Sequence, residues 1–117
     1  MMASSSVRDD RRGTPRTAAV LAVGLESATK ASRHGVTRDL SANGLLIVTP
    51  SHFEKGDRLK ITLHAGTVFD VVGKVTRVDE NPISSPELWR YRVGVQLEEP
   101  LPAAVTAAAI RRNTTTD

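Results

Sequence analysis

Six short segments rich in branched apolar residues follow one another along the chain, with no helical segment between them. The clearest of these places Leu59, Ile61 and Leu63 on one face and polar residues on the other, which is the two-residue period of a half-buried strand. Several short strands at close spacing are typical of an antiparallel sandwich or barrel. Closure removes exposed edge strands and is therefore favoured in a chain of 117 residues. We predict an all-β fold, a six-stranded antiparallel β-barrel. The predicted strands cover residues 18–23, 35–40, 44–49, 57–64, 67–78 and 90–97.

The second predicted strand and the turn after it carry finer expectations. Alternation in this strand predicts that Val36 and Leu40 share one face and that Thr37 lies on the other. The dipeptide Asn43-Gly44 follows and predicts a tight hairpin, because both residue types tolerate positive φ.

The last third of the sequence predicts one bulge and one helix. Alternation fails at residues 71–73, which indicates a bulge or bend in the fifth strand. Beyond the last strand, the alanine-rich residues 101–112 predict a short C-terminal α-helix. Leu101, Val105 and Ala109 share a face of this helix, so we expect that face to pack on the barrel.

The length of the chain predicts one domain, residues 11–112, with a flexible N-terminal tail at 1–10 and a short tail at 113–117. The absence of cysteine excludes a disulfide scaffold, a thiolate zinc site and a cysteine nucleophile, and fits a reducing compartment. The longest apolar run, 18–25, is too short to cross a bilayer, and residues 1–12 lack the apolar stretch of a secretion signal. We therefore expect a cytoplasmic protein without membrane insertion.

Catalytic and metal-binding patterns are missing from the sequence. The three histidines, His34, His52 and His64, have no motif around them and no spacing that matches a metal site. A phosphate-binding loop of the Gly-Lys-Ser kind and a dinucleotide fingerprint are also absent. We predict a protein that is not an enzyme, with no catalytic residue, no metal and no cofactor.

Twelve of the sixteen basic residues are arginines, and arginine is the side chain best suited to pair with phosphate and to stack on bases. Arg8, Arg11, Arg12 and Arg16 crowd into the segment before the first strand, where Pro15 disfavours a helix. The spacing of Arg12 and Arg16 is expected about once by chance in this composition. A solvated basic tail accounts for the cluster equally well.

A rarer pattern, Asp-x-Ser-x-x-Gly, is formed by Asp39, Ser41 and Gly44 at the hairpin between the second and third strands. The composition predicts roughly 0.03 chance matches to it. A purely local interpretation is open, because Ser41 and Asn43 are residue types that bond to neighbouring backbone in turns.

An Arg-x-x-x-Arg segment before the first strand, followed by Asp-x-Ser-x-x-Gly at the second hairpin, resembles the PilZ family of cyclic di-GMP receptors. Residues 72–75 are similar to the long fifth strand of that family, and 91–97 to its last strand, although an aromatic residue commonly replaces Leu97. The resemblance covers about residues 11–112. It implies a six-stranded antiparallel barrel with a C-terminal helix, which agrees with the alternation.

The resemblance also implies a ligand and its contacts. Arg12 and Arg16 would be the principal ligands of cyclic di-GMP, since a guanidinium can pair with guanine O6 and N7, bridge a phosphate or lie on a purine. Asp39 would accept from the N1–H and N2–H edge of a guanine, and Ser41 would add a hydroxyl contact. Gly44 would let the backbone approach the ligand. Arg11 would add a further stacking or phosphate contact.

This assignment implies a receptor or adaptor whose arginine segment folds over the barrel when cyclic di-GMP binds, and which signals through an unidentified partner protein. One alternative is a nucleic-acid-binding barrel, but the sequence offers few aromatic side chains on which bases could stack. The other alternative is a PilZ-like protein-interaction module that does not bind a nucleotide, but both ligand-binding motifs are present.

Overall fold

The computed structural model describes residues 17–87 and 89–114, with side chains described between 18 and 108. Within this part of the chain, seven strands precede one α-helix. The elements are β1 (Thr17–Ala18), β2 (Ala22–Glu26), β3 (Arg33–Leu40), β4 (Gly44–Thr49), β5 (Arg58–Ala65), β6 (Thr67–Glu80), β7 (Tyr91–Leu97) and α1 (Ala103–Thr114). The tails predicted at 1–10 and 113–117 lie almost wholly outside these residues and stay predictions.

Six of the strands close into an antiparallel barrel. The order around the sheet is β3-β2-β5-β6-β7-β4, and the pairing of β3 with β4 completes the ring. The two-residue strand β1 pairs with the end of β3 that β2 does not reach, on the same edge as β2. Thr17 lies opposite Leu40 and Ala18 opposite Asp39. The first predicted strand is therefore divided into two pieces that both pair with β3. The predicted fold class, a six-stranded antiparallel barrel with a short C-terminal helix, is confirmed.

The barrel interior is filled by aliphatic side chains. Leu59, Ile61 and Leu63 of β5 are completely buried, as their alternation predicts. Val93 and Val95 of β7 are buried in the same core. Each buried aliphatic side chain stabilises the fold by about 1.5–3 kcal/mol, so these alternating faces are the main reason that the sheet curls on itself.

The helix α1 lies against β5. Leu101, just before it, is buried, and Val105 is completely buried. Ala108 is also buried, whereas the side chain of Ala109 lies outside the described residues, so the predicted apolar face is confirmed at its first two members. Of the described helices, none combines the length and the hydropathy that crossing a bilayer requires.

The predicted face of β3 is wrong in its first half. Thr37 is completely buried, whereas Val36 is only half-buried. The register with β4 shifts between Thr37 and Asp39, so Leu40 also faces the interior and two consecutive residues, Arg38 and Asp39, face outward. A β-bulge adds one residue to one strand of a pair, and simple alternation fails at that point.

A second bulge lies in β6, but not at the predicted residues 71–73. That stretch pairs with β5 without interruption, and the register with β7 shifts instead between Val75 and Arg77. The prediction failed because Val72 is an apolar residue on the outer face of the strand, which breaks the pattern without breaking the register.

The hairpin between β3 and β4 also differs from its prediction. Three residues, 41–43, connect the strands, and neither Asn43 nor Gly44 is among the described residues with positive φ. The Asn43 carbonyl accepts from the Leu97 amide at 2.8 Å, so the end of β7 holds the turn in place of a left-handed backbone.

Candidate ligand-binding cleft

A cleft of about 240 Å³ opens on the outer wall of the barrel where β3, β4, β6 and β7 lie side by side. It brings together Asp39, Ser41 and Gly44, the three residues of the rarer sequence motif. Clefts that hold drug-sized ligands are typically about 300–1,000 Å³. The described residues therefore form one wall of a site that can hold part of such a ligand.

Asp39 faces this cleft because of the bulge in β3. Its neighbour Arg38, which the bulge also turns outward, is committed elsewhere: its Nη2 donates to Glu87 Oε1 at 2.7 Å and its Nε donates to Glu87 Oε2 at 3.1 Å. The hydrogen bonds from Arg38 to this carboxylate raise the pKa of the guanidinium. The pair fastens the loop between β6 and β7 to β3 and leaves Asp39 as the residue of the bulge that lines the cleft.

Ser41 and Gly44 serve the turn itself. The Ser41 amide donates to the Gly44 carbonyl at 2.9 Å, and its hydroxyl donates to the same oxygen at 3.3 Å. A Cβ at Gly44 would lie 2.9 Å from the Val95 carbonyl oxygen, so the close packing of β4 against β7 requires glycine here. The local interpretation of the motif is thus correct for Ser41. The predicted contacts of both residues with a ligand stay predictions.

Sequence reasoning missed the far side of the cleft. There, Arg77 Nε donates to Asp79 Oδ2 at 2.8 Å, and Arg92 lies opposite Asp79 on the neighbouring strand. Thr76 and Gly94 complete this side. In the sequence these residues form two separate groups, one on β6 and one on β7, and the register of the two strands, which shifts at the bulge in β6, brings the groups together.

The described part of the cleft balances two carboxylates, Asp39 and Asp79, against two guanidinium groups, Arg77 and Arg92. An anion entering it can draw Arg77 away from Asp79, because a guanidinium pairs with phosphate as well as with carboxylate. Further cations near the cleft would favour an anionic ligand more strongly.

The predicted ligands Arg11, Arg12 and Arg16 lie outside the described residues. Where the described chain begins is nevertheless informative. Thr17, which follows Arg16 in the sequence, pairs with Leu40, the residue between Asp39 and Ser41. The arginine motif is therefore joined to the barrel at the edge of the cleft.

The three histidines do not cluster. His34 lies in β3, which begins two residues before the strand predicted at 35–40, and contacts the ring of Trp89 edge-on with centroids 5.4 Å apart. His52 contacts Tyr91 in the same way at 5.1 Å. Over the described ranges, no group of three His, Cys, Asp or Glu residues is placed to hold a metal ion, and no aromatic side chain lines the cleft.

The PilZ domain family model matches residues 10–113, which is most of the chain. The chain belongs to the PilZ domain family. This match confirms the PilZ assignment that was predicted from the two motifs. No curated protein matches the sequence significantly.

Solved structures share the PilZ fold of this chain. The PilZ domain of YcgR from Escherichia coli with c-di-GMP superposes with a TM-score of 0.66 at 15% identity, covering 88% of this chain and 94% of that one. The inhibitor of motility MotI/DgrA from Bacillus subtilis gives 0.65 at 21% identity, covering 91% of this chain and 53% of that one. YcgR from Escherichia coli in complex with c-di-GMP gives 0.64 at 17% identity, with coverage of 90% and 45%. This PilZ chain therefore spans about half the length of MotI/DgrA and of the longer YcgR chain.

Proposed function

We propose that this protein is a cyclic di-GMP receptor and adaptor, which binds the dinucleotide in the outer cleft and signals through a partner protein. The observation that carries the proposal is the register of β1 on β3. Thr17 lies opposite Leu40 and Ala18 opposite Asp39, so the residue that follows Arg16 in the sequence is held beside Asp39, on the β3 side of the cleft. Membership in the PilZ domain family and the likeness to YcgR, which was solved with c-di-GMP, support the same ligand.

Each group in the proposed site has a distinct task. The Asp39 carboxylate accepts from the N1–H and N2–H groups of a guanine, the one base edge with two adjacent donors. The Ser41 hydroxyl adds a polar contact near the turn. Arg12 and Arg16 add positive charge to a described cleft in which two carboxylates balance two guanidinium groups, and they pair with guanine O6 and N7 or with the phosphates. Arg11 adds a further phosphate or stacking contact.

Binding orders the arginine segment over the wall of the barrel in this proposal. The loss of conformational entropy is offset by several hydrogen bonds between charged groups. The combined surface of the barrel and the ordered segment is what a partner protein recognises. Because the cleft opens on the outer wall of the barrel, binding in this proposal does not require the buried core to rearrange.

The test is a calorimetric titration of the purified protein with cyclic di-GMP, with GTP and cyclic AMP as ligand controls. We expect discrete binding of the cyclic dinucleotide alone, and its loss in Arg12→Ala and in Arg16→Ala without a large change in melting temperature. Arg33→Ala removes an exposed arginine outside the cleft and should bind like the wild type.

The role of Asp39 has its own test in the same assay. Asp39→Ala should bind cyclic di-GMP more weakly and discriminate less between guanine and adenine dinucleotides, whereas Asp70→Ala, an exposed carboxylate outside the cleft, should change neither property. Unchanged guanine selectivity would contradict the role of Asp39.

A wild-type protein that gives no heat with cyclic di-GMP would overturn the proposed function and favour the interaction module that does not bind a nucleotide. Salt-sensitive binding of DNA would favour the nucleic-acid-binding barrel.

A further inference from the structure

Three glycines in the strands are required by the packing of the barrel. A Cβ at Gly35 would lie 2.6 Å from the Val48 carbonyl oxygen, and one at Gly44 would lie 2.9 Å from that of Val95. At Gly73 it would lie 2.5 Å from a methyl group of Val95. Contacts this short force neighbouring atoms to move, so the fold itself accounts for the absence of a side chain at these positions.

Gly94, in the middle of β7, has no such explanation. A Cβ there would meet Arg77 Cβ at 3.5 Å and Thr76 Oγ1 at 3.6 Å, which are ordinary van der Waals distances. Gly94 also lacks the positive φ that would favour glycine. Glycine weakens a strand, because it loses more backbone freedom on folding than other residues do. The fold therefore tolerates a larger residue at 94 and would gain stability from one.

The missing side chain would point into the cleft. Val93 and Val95 on either side are buried in the interior, so position 94 faces outward. Its partners in the neighbouring strands are Leu46 on β4 and Arg77 on β6, and both line the same cleft. Gly94 thus leaves a strip of backbone without a side chain between Leu46 and Arg77, and the Thr76 hydroxyl donates to its carbonyl at 3.3 Å.

We infer that Gly94 is a ligand-binding position, at which one purine ring of the ligand lies flat on the backbone of β7 between Leu46 and Arg77. This inference rests on the proposed function. A planar ring needs close approach over its whole face, and bare backbone offers it. Leu46 covers one edge of the ring with apolar surface, and Arg77 brings a cation to the other. A methyl group at position 94 would lift the ring away from both.

The experiment compares Gly94→Ala and Gly94→Val with Gly24→Ala. Gly24 lies in β2 outside the cleft, and a Cβ there would meet only Thr62 Cβ at 3.7 Å, so it is a matched control. We expect Gly94→Ala to melt at the wild-type temperature or a few degrees higher, and to bind cyclic di-GMP at least about tenfold more weakly. Gly94→Val should lose more affinity, and Gly24→Ala should bind normally.

Two results would overturn the inference while leaving the proposed function intact. One is a Gly94→Ala protein that binds as tightly as the wild type. The other is a melting temperature that falls as far as in Gly35→Ala, because the barrel and not the ligand would then require the glycine. Failure of the wild-type protein to bind cyclic di-GMP is a separate result that contradicts the proposed function itself.

Discussion

Thr37 is a polar residue that the barrel buries completely, and its hydroxyl explains why. The hydroxyl donates to the Ala19 carbonyl at 2.7 Å and accepts from the Leu21 amide at 2.9 Å. These two backbone groups belong to the link between β1 and β2, where the sheet ladder is interrupted. The side chain thus replaces missing ladder bonds and fixes the path of the chain beside the cleft.

Thr37→Val should therefore destabilise the protein, although valine has nearly the same shape. Two buried backbone groups would lose their partner, and we expect a loss of about 2 kcal/mol in the free energy of unfolding by urea titration. Thr37→Ser is the control, because it keeps the hydroxyl and removes one methyl group at about 1 kcal/mol. A valine variant more stable than the serine variant would contradict this role of the hydroxyl.

The sequence predicted some of the residues that line the cleft and could not predict others. Asp39, Ser41 and Gly44 lie within six consecutive residues, so a local motif was enough to bring them together. Arg77 and Asp79 lie on β6 and Arg92 lies on β7, and only the register of the two strands makes Arg92 a neighbour of the other two. Nothing in the alternation of residues reveals register, because each strand can slide past its partner by two residues and keep the same buried face.

Among the elements, the two bulged strands stand on opposite sides of the cleft. The bulge in β3 turns Arg38 and Asp39 outward together, and the bulge in β6 brings Arg77 level with Gly94. The unbulged strands β4 and β7 form the floor between them. Bulges increase local twist and redirect side chains, and they are frequent beside functional sites.

The strands themselves were predictable to within a few residues, because each has one buried aliphatic face. The exceptions have physical causes. The first predicted strand is divided because three residues, 19–21, lie opposite only two, Thr37 and Arg38, so the ladder with β3 is interrupted between β1 and β2. The bulge in β3 was missed because a threonine takes an interior position, and the bulge in β6 was misplaced because a valine takes an exterior one.

The ion pair between Arg58 and Glu98 links the start of β5 to the end of β7. Arg58 Nε donates to Glu98 Oε2 at 2.7 Å. Hydrogen bonding from Arg58 lowers the pKa of Glu98 below its usual value. A lowered pKa in the folded state means that the stabilisation is complete above the ordinary glutamate pKa, and that it is lost as the pH falls through the lowered value.

Glu98→Gln should therefore lower the melting temperature slightly at pH 7, and the difference from the wild type should disappear below the lowered pKa. The effect is small because both side chains are exposed and screened by salt. Thermal melts over a range of pH values measure it, with Glu99→Gln as the control at the neighbouring exposed position. A difference that persists unchanged in acid would show that the pair is not its source.

Closure of the barrel depends on the tight approach of β3 to β4. Gly35→Ala should reduce stability by about 2 kcal/mol or more, because the new methyl group would lie 2.6 Å from the Val48 carbonyl oxygen and 3.0 Å from a methyl group of Ile47. Urea unfolding should remain a single transition at a lower midpoint. Gly24→Ala is the matched control, and a Gly35→Ala midpoint equal to that of the control would contradict this account of closure.

The aliphatic filling of the barrel has a consequence for how such a molecule can diverge. With its centre occupied by leucine, isoleucine and valine, recognition is left to the exterior, where substitutions do not disturb the packing. Apart from Leu40, Leu45 and Val95, the described residues that line the cleft are not part of this buried core. Under the proposed function, a redesign confined to the outer positions of β4, β6 and β7 should therefore change which cyclic dinucleotide is bound and keep the thermal stability of the parent.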